Sequence, residues 1–165
     1  PLMLLWTGIA RYVASHPDIR DLFGAVTIGA NYSPLARASL AAYLKRHAVD
    51  RLRAPLVSAR HPLEAEADGP VVGPESDGLD PQAFSSAVES LDDEGKGVPV
   101  LLRQYLKLNA RVLDFSVDPA FSNVLDVLVS IDLPTAPRAL LKRYMGETGA
   151  DGYLAHHWRA AAVSA

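Results

Sequence analysis

Two adjacent histidines, His156 and His157, are the residues best suited by type to bind a metal ion or transfer protons. Metal-binding histidines on one helix are generally three or four residues apart, because that spacing places both imidazoles on one face. Adjacent positions direct the two rings to different sides of a helix. The pair therefore does not predict a metal site, and we expect none.

Several catalytic motifs are absent from the sequence. It contains no phosphate-binding glycine loop of the Walker or Rossmann type. No G-x-S-x-G segment predicts a nucleophile elbow. There is no cysteine, which excludes disulfides and thiolate chemistry and favours a reducing, cytoplasmic compartment.

Asp114 and Asp126 are the acidic residues that interrupt apolar segments. Both segments alternate apolar and polar residues, as expected of strands with one buried face, and this alternation explains the aspartates without catalysis. Tyr105 and Tyr144 are flanked by leucines at helical spacing, which indicates core positions.

Charge is unevenly distributed along the chain, although the formal net charge is only −3. The segment between His61 and Gly95 holds ten of the 19 acidic residues and none of the 16 basic ones. Between Arg37 and Arg60, six basic residues accompany a single acid, Asp50. A basic face of this kind suits an acidic protein, anionic lipid headgroups or nucleic acid, or is simply solvated.

Helices and strands are predicted from the spacing of apolar residues and from the residues typical of turns. Gly97–Phe121 illustrates the pattern, with Pro99 starting a helix, Asn109 ending it, and a short apolar run after it. Helices are predicted at about 2–16, 33–47 and 99–108, and strands at about 22–31, 111–117 and 124–133. Residues 54–63 form a further candidate strand, and two more helices are expected near the C-terminus.

Length and composition indicate one soluble α/β domain over residues 1–165. The chain has 165 residues, of which 49% are hydrophobic and 21% charged, so it can bury a core without covalent staples. The acidic stretch at about 61–80 is rich in Gly, Pro, Asp and Glu, which predicts a mobile loop.

Two long segments, with a shorter one after them, resemble a known family. These are "LLWTGIARYVASHPDIRDLFGAVTIGANYSPLARASLAAYL", "GKGVPVLLRQYLKLNARVLDFSVDPAFSNVLDVLVSIDL" and "RALLKRYMG". They resemble the ornithine-lipid-type, hemolysin-like N-acyltransferases, which are GNAT-like and related to acyl-homoserine-lactone synthases. The resemblance covers nearly the whole chain except the acidic loop. It implies a partial GNAT-like mixed sheet flanked by helices.

The activity implied by this resemblance is transfer of a fatty acyl group to the amine of an amino acid such as ornithine, a step in aminolipid synthesis. The acyl donor would be acyl carrier protein or acyl-CoA, with no permanently bound cofactor. Family members carry further sequence before the segment equivalent to Leu2–Ile9, including an acidic residue expected to assist deprotonation of the amine. The chain therefore resembles a C-terminal portion, and the general base is expected to lie outside it.

The same resemblance suggests four site residues. Asn31, Tyr32 and Ser33 match the place where the donor's pantetheine arm would lie, with helix N–H groups and a hydroxyl near it. The alternative for Ser33 is plain capping of the helix. Tyr43 loosely resembles the helix tyrosine that protonates the leaving thiolate in other GNAT-like enzymes, although its spacing from Asn31 differs.

Two functional classes remain open at this point. The first is the acyltransferase, docking acyl carrier protein through the basic stretch Arg37–Arg60, with peripheral contact to the inner membrane as a further expectation. The second is a non-catalytic α/β module that binds an acidic protein or a membrane surface through that stretch. Nucleic acid is not an expected partner. A homodimer is an open expectation, because a partial sheet leaves an unpaired edge.

Overall fold

The computed structural model describes residues 2–63 and 81–163. Its described part contains three strands, β1 Asp21–Ile28, β2 Arg111–Asp118 and β3 Val124–Asp132. It also contains six α-helices: α1 Leu2–Ser15, α2 Pro34–His47, α3 Pro81–Glu89, α4 Val100–Lys107, α5 Arg138–Met145 and α6 Glu147–Val163. The mixed α/β class is confirmed.

The three predicted strands form one open sheet in the order β1-β3-β2. These strands pair antiparallel, whereas the family resemblance implies a mixed sheet. In the pairing of β2 with β3, Phe115 lies opposite Val127 and Val117 lies opposite Leu125. A β-bulge lies between Val112 and Asp114. The central strand β3 buries Leu125, Val127 and Val129 on one face, which is the alternation that predicted it.

The ends of two elements differ from the prediction for local reasons. Strand β1 ends at Ile28 rather than Asn31, because a turn follows in which the Tyr32 N–H donates to Gly29 O at 3.3 Å. Between β2 and β3, Pro119–Phe121 forms a short 3-10 helix, and the Asp118 side chain caps it by accepting from the Ala120 N–H. Ser122 and Asn123 complete this connection in the left-handed region, with φ of 57° and 54°.

The predicted strand at 54–63 is wrong. Ala54–Leu56 is a 3-10 helix, and Pro62 makes only an isolated bridge to Ser116 of β2. Pro55 and Pro62 lack the N–H groups that a ladder needs, which is the physical reason the segment does not form a strand. Most of the predicted acidic loop, residues 64–80, lies outside the described residues.

Two compact units divide the chain, one comprising residues 1–22 and 131–165 and the other residues 23–130. In the first unit, α1, α5 and α6 pack together, with Trp6 and Tyr144 ring centroids 5.9 Å apart. In the second unit, α2 contacts β2 and α3, and α3 contacts α4. Leu102 and Leu106 of α4 are buried there. The single-domain organisation stays a prediction.

Strand β1 is an edge strand of the sheet. Its residues Phe23, Ala25 and Thr27 are exposed, and Phe23 is a large apolar side chain at that edge. An exposed edge strand is a surface on which another chain can pair. The homodimer stays a prediction. No helix in the described part of the chain is long and apolar enough to cross a membrane.

Candidate functional site

The junction between β1 and α2 carries three of the predicted site residues. Ser33 caps α2, since its hydroxyl oxygen accepts from the Ala36 N–H at 3.1 Å, and Pro34 fills the first helical position. The Ser33 hydroxyl also donates to Leu91 O at 2.9 Å. These two bonds fit the capping alternative for Ser33. Gly29 belongs to the same turn, where an added Cβ would lie 2.5 Å from the Asn31 Oδ1.

A buried carboxylate, that of Asp92, anchors this junction. Its Oδ2 accepts from the Ser33 N–H at 2.9 Å, and its Oδ1 accepts from the Glu94 and Lys96 N–H groups, both at 3.1 Å. The hydrogen bond from Ser33 is the main cause that lowers the pKa of Asp92 below its usual value. Because Asp92 already takes the Ser33 N–H, this group does not hold a ligand in the present arrangement.

Tyr32 and Asn31 are tied to the segment that follows Asp92. The Tyr32 hydroxyl donates to Gly97 O at 2.9 Å, and burial is the main cause that raises the pKa of this phenol. The Lys96 ammonium donates to Asn31 O at 2.7 Å and lies 5.8 Å from the centre of the Tyr32 ring. These contacts fix the position of the turn that begins α2.

A cavity of about 860 Å³ opens beside the start of α2, within the second unit. Three parts of the chain enclose it: the start of α2 with the turn before it, the segment 60–63, and the connection between β2 and β3. Its described lining residues are Ala30, Tyr32, Pro34, Arg37, Ala38, Ala41, Arg60, His61, Pro62, Leu63, Val117, Pro119, Asn123 and Leu125. We call it the α2 pocket.

The lining of the α2 pocket combines positive charge with apolar surface. Arg37, Arg60 and His61 belong to its lining, and none of its described lining residues is acidic. The Arg37 Nη2 donates to Asn123 O at 2.6 Å, which braces the β2–β3 connection against α2. Alanine, proline, leucine and valine residues make up most of the remaining lining, together with Tyr32 and Asn123. This lining suits an elongated ligand with an anionic group and an apolar arm.

Of the four predicted site residues, Tyr32 is the one that lines the α2 pocket. Tyr43 is fully buried, and its ring stacks on Phe84 with centroids 3.6 Å apart and 14° between the planes. It lies outside the described lining of the pocket, so the structure does not bring Tyr43 and Tyr32 together there. The role of Tyr43 as a proton donor stays a prediction.

Sequence reasoning did not select Arg37, Arg60, His61 and Asn123 as site residues. Arg37 and Arg60 were included only in the basic stretch, and neither His61 nor Asn123 occurs in a motif. Their shared location depends on the Val117 N–H donating to His61 O at 2.8 Å and on the Arg37–Asn123 bond. Arg37 is the one with a local signal, since it lies in the first turn after the predicted helix start at Ser33. Arg60, His61 and Asn123 have no such signal, because they are distant from that start in sequence.

Comparison with family models, curated proteins and solved structures finds no match to this chain. A function for this chain is therefore inferred from the residues and the geometry of the α2 pocket.

Replacing Asp92 with Asn should lower the melting temperature at pH 7, because an amide cannot accept three backbone N–H groups as a carboxylate does. The pKa of Asp92 is lower in the folded chain than its unfolded value of about 4. The ionised carboxylate therefore stabilises the folded state fully at pH values above that unfolded pKa. This stabilisation is lost as pH falls through the lower folded value. Thermal unfolding measured from pH 7 down to pH 2 should show the melting temperatures of the variant and the parent becoming equal at acidic pH.

The exposed neighbour Asp93 provides the matched control. Asp93→Asn removes the same charge one residue away and should leave the melting temperature at pH 7 nearly unchanged. Equal losses for the two variants would show that the Asp92 contacts do not stabilise the fold.

Proposed function

We propose that this protein is an N-acyltransferase that moves a fatty acyl group from acyl carrier protein or acyl-CoA to the amine of an amino acid such as ornithine. The observation that carries the proposal is the α2 pocket. It lies at the β1–α2 junction, where the family resemblance implies the donor's pantetheine arm. Its lining also matches the chemistry of that arm.

A phosphopantetheine arm joins a phosphate to a long, weakly polar chain that ends in the thioester. Arg37 and Arg60 supply the type of side chain that holds phosphate by charge-assisted hydrogen bonds. The walls formed by Ala38, Ala41 and Leu125 would contact the chain itself. Tyr32, with its hydroxyl held on Gly97, is placed to contact the arm through its ring.

In the reaction, the amine nitrogen attacks the thioester carbonyl. A C–N bond forms as the C–S bond breaks, the nitrogen gives up a proton, and the leaving thiolate takes one. His61 lines the α2 pocket and is the side chain of its described lining that is best suited by type to general acid–base catalysis. A partial GNAT-like sheet is the fold that we propose for β1, β2 and β3 with α2.

The proposal is tested by incubating the purified chain with acyl carrier protein or CoA carrying a labelled acyl group, and with a panel of amino acids including ornithine. We expect a labelled amide product that depends on both the donor and the amine. Such a product would also show that a group within this chain can take the amine proton, in place of the external base that the family resemblance implies. The chain has no cysteine, so the thiol released from CoA can be titrated without background from the protein.

Thiol release without amine provides the control for simple thioester hydrolysis. Donor binding without an amide product from any amine would favour the alternative, a non-catalytic binding module. Failure to bind either donor would reject the assignment of the α2 pocket.

A further inference from the structure

Two of the most exposed apolar side chains lie in the turn that follows α2. Leu52 is 87% exposed and Leu56 is 83% exposed. They lie four residues apart in a segment, Asp50–Leu56, that also contains Arg51 and Arg53. We call this segment the leucine turn. Leucines in such positions are costly to leave in water and suit a surface that covers them.

The leucine turn has a well-fixed backbone. Asp50 Oδ1 accepts from the Leu52 and Arg53 N–H groups at 3.0 and 2.9 Å, and the Ala54 N–H donates to Asp50 O at 2.8 Å. The Asp50 N–H donates in turn to Val112 O of β2 at 2.9 Å. The turn is therefore anchored to the sheet, and its leucines are held outward rather than drawn into the core.

Basic residues lie within the leucine turn and next to it along the chain. Arg46 in the last turn of α2 and Arg51 are exposed, and the Arg111 Nη1 lies 3.3 Å from His47 O at the end of α2. Asp50 is the only acidic residue among described residues 34–63, and its Oδ1 accepts the backbone bonds within the turn. Leu52 therefore follows an exposed arginine, Arg51, and precedes Arg53, which is half-buried and whose Nε lies 3.8 Å from Asp50 Oδ2.

The leucine turn is separate from the α2 pocket. Arg37 lies in the first turn of α2 and Arg46 in the last, about 13 Å apart along the helix axis. Arg60 accompanies Arg37 in the pocket. The basic stretch Arg37–Arg60 thus contributes residues to two separate surfaces.

We propose that the leucine turn docks on a bilayer that contains anionic phospholipids, with Leu52 and Leu56 entering the interface and Arg46 and Arg51 contacting headgroup phosphates. Bulky apolar side chains projecting between arginines are typical of interfacial binding. An acidic protein partner would complement the arginines, but it would also need an apolar recess for each of the two exposed leucines. A bilayer accepts both kinds of side chain without such recesses. This inference does not depend on the acyltransferase proposal.

The test is co-sedimentation of the full chain with vesicles of phosphatidylcholine alone, or of phosphatidylcholine mixed with phosphatidylglycerol. We expect binding to the anionic vesicles and weaker binding when salt rises to about 0.15 M. The pair Leu52→Ser and Leu56→Ser, and separately the pair Arg46→Glu and Arg51→Glu, should each lower partitioning about tenfold or more. The melting temperature verifies that each variant folds.

Matched controls change similar residues elsewhere. Leu4→Ser alters a leucine that is 79% exposed on α1, and Arg143→Glu reverses an exposed charge on α5. Both should bind vesicles as the parent does. Equal binding to neutral vesicles, or parental binding by the leucine-turn variants, would overturn the proposal. A further outcome would also overturn it: the charge-reversed variant loses acyl transfer from the carrier protein but binds vesicles as the parent does. The leucine turn would then be a protein-docking surface.

Discussion

Replacing Leu102 with Ala is expected to lower the free energy of unfolding by about 2–5 kcal/mol. Leu102 lies on α4 and is 0% exposed. Removing its outer atoms forfeits their burial and leaves a cavity that the surrounding side chains fill only in part. Urea unfolding followed by circular dichroism and by tryptophan fluorescence measures the change, and agreement of the two probes justifies two-state treatment.

The same helix offers the control. Val100 is 55% exposed, so Val100→Ala should change the free energy of unfolding by no more than about 0.5 kcal/mol. Similar losses for Leu102→Ala and Val100→Ala would contradict the placement of α4, because the described structure buries one face of that helix and exposes the other.

Replacing Arg60 with Ala is expected to lower kcat/KM for acyl carrier protein and acyl-CoA donors by about 10- to 100-fold. The reason is the loss of a charge-assisted hydrogen bond to the donor phosphate, worth about 1.5–3 kcal/mol. Arg60 is the better choice than Arg37 for this test, since Arg37 also holds Asn123 O at 2.6 Å and its loss would disturb the β2–β3 connection. Initial rates at subsaturating donor measure the effect.

A donor without phosphate separates recognition from damage to the fold. An acyl thioester of N-acetylcysteamine keeps the reacting end of the pantetheine arm and lacks the phosphate, so Arg60→Ala should leave its rate nearly unchanged. Arg51→Ala removes an exposed arginine outside the α2 pocket and should not affect the rate with acyl-CoA, which needs no carrier docking. Equal loss with both kinds of donor would reject a phosphate contact at Arg60.

The sequence alone predicted the elements that depend on local pattern. Leucines at helical spacing with Pro99 before them indicated α4, and Leu125, Val127 and Val129 alternating with Asp126 and Leu128 indicated β3. Such patterns are readable because each helix or strand must bury one face, and burial repeats with the period of the backbone. The error at 54–63 arose where two prolines outweighed a short apolar pattern.

The candidate site was decided by tertiary structure. The sequence pointed to the start of α2 through Tyr32 and Ser33, yet Arg60 and His61 reach that place because the segment containing them lies along β2. The sequence also presented Arg37–Arg60 as one basic stretch, which the fold divides between the α2 pocket and the leucine turn. Local pattern determines which face of an element is buried, whereas the residues that meet across a pocket depend on hydrogen bonds between distant segments, and these leave no period in the sequence.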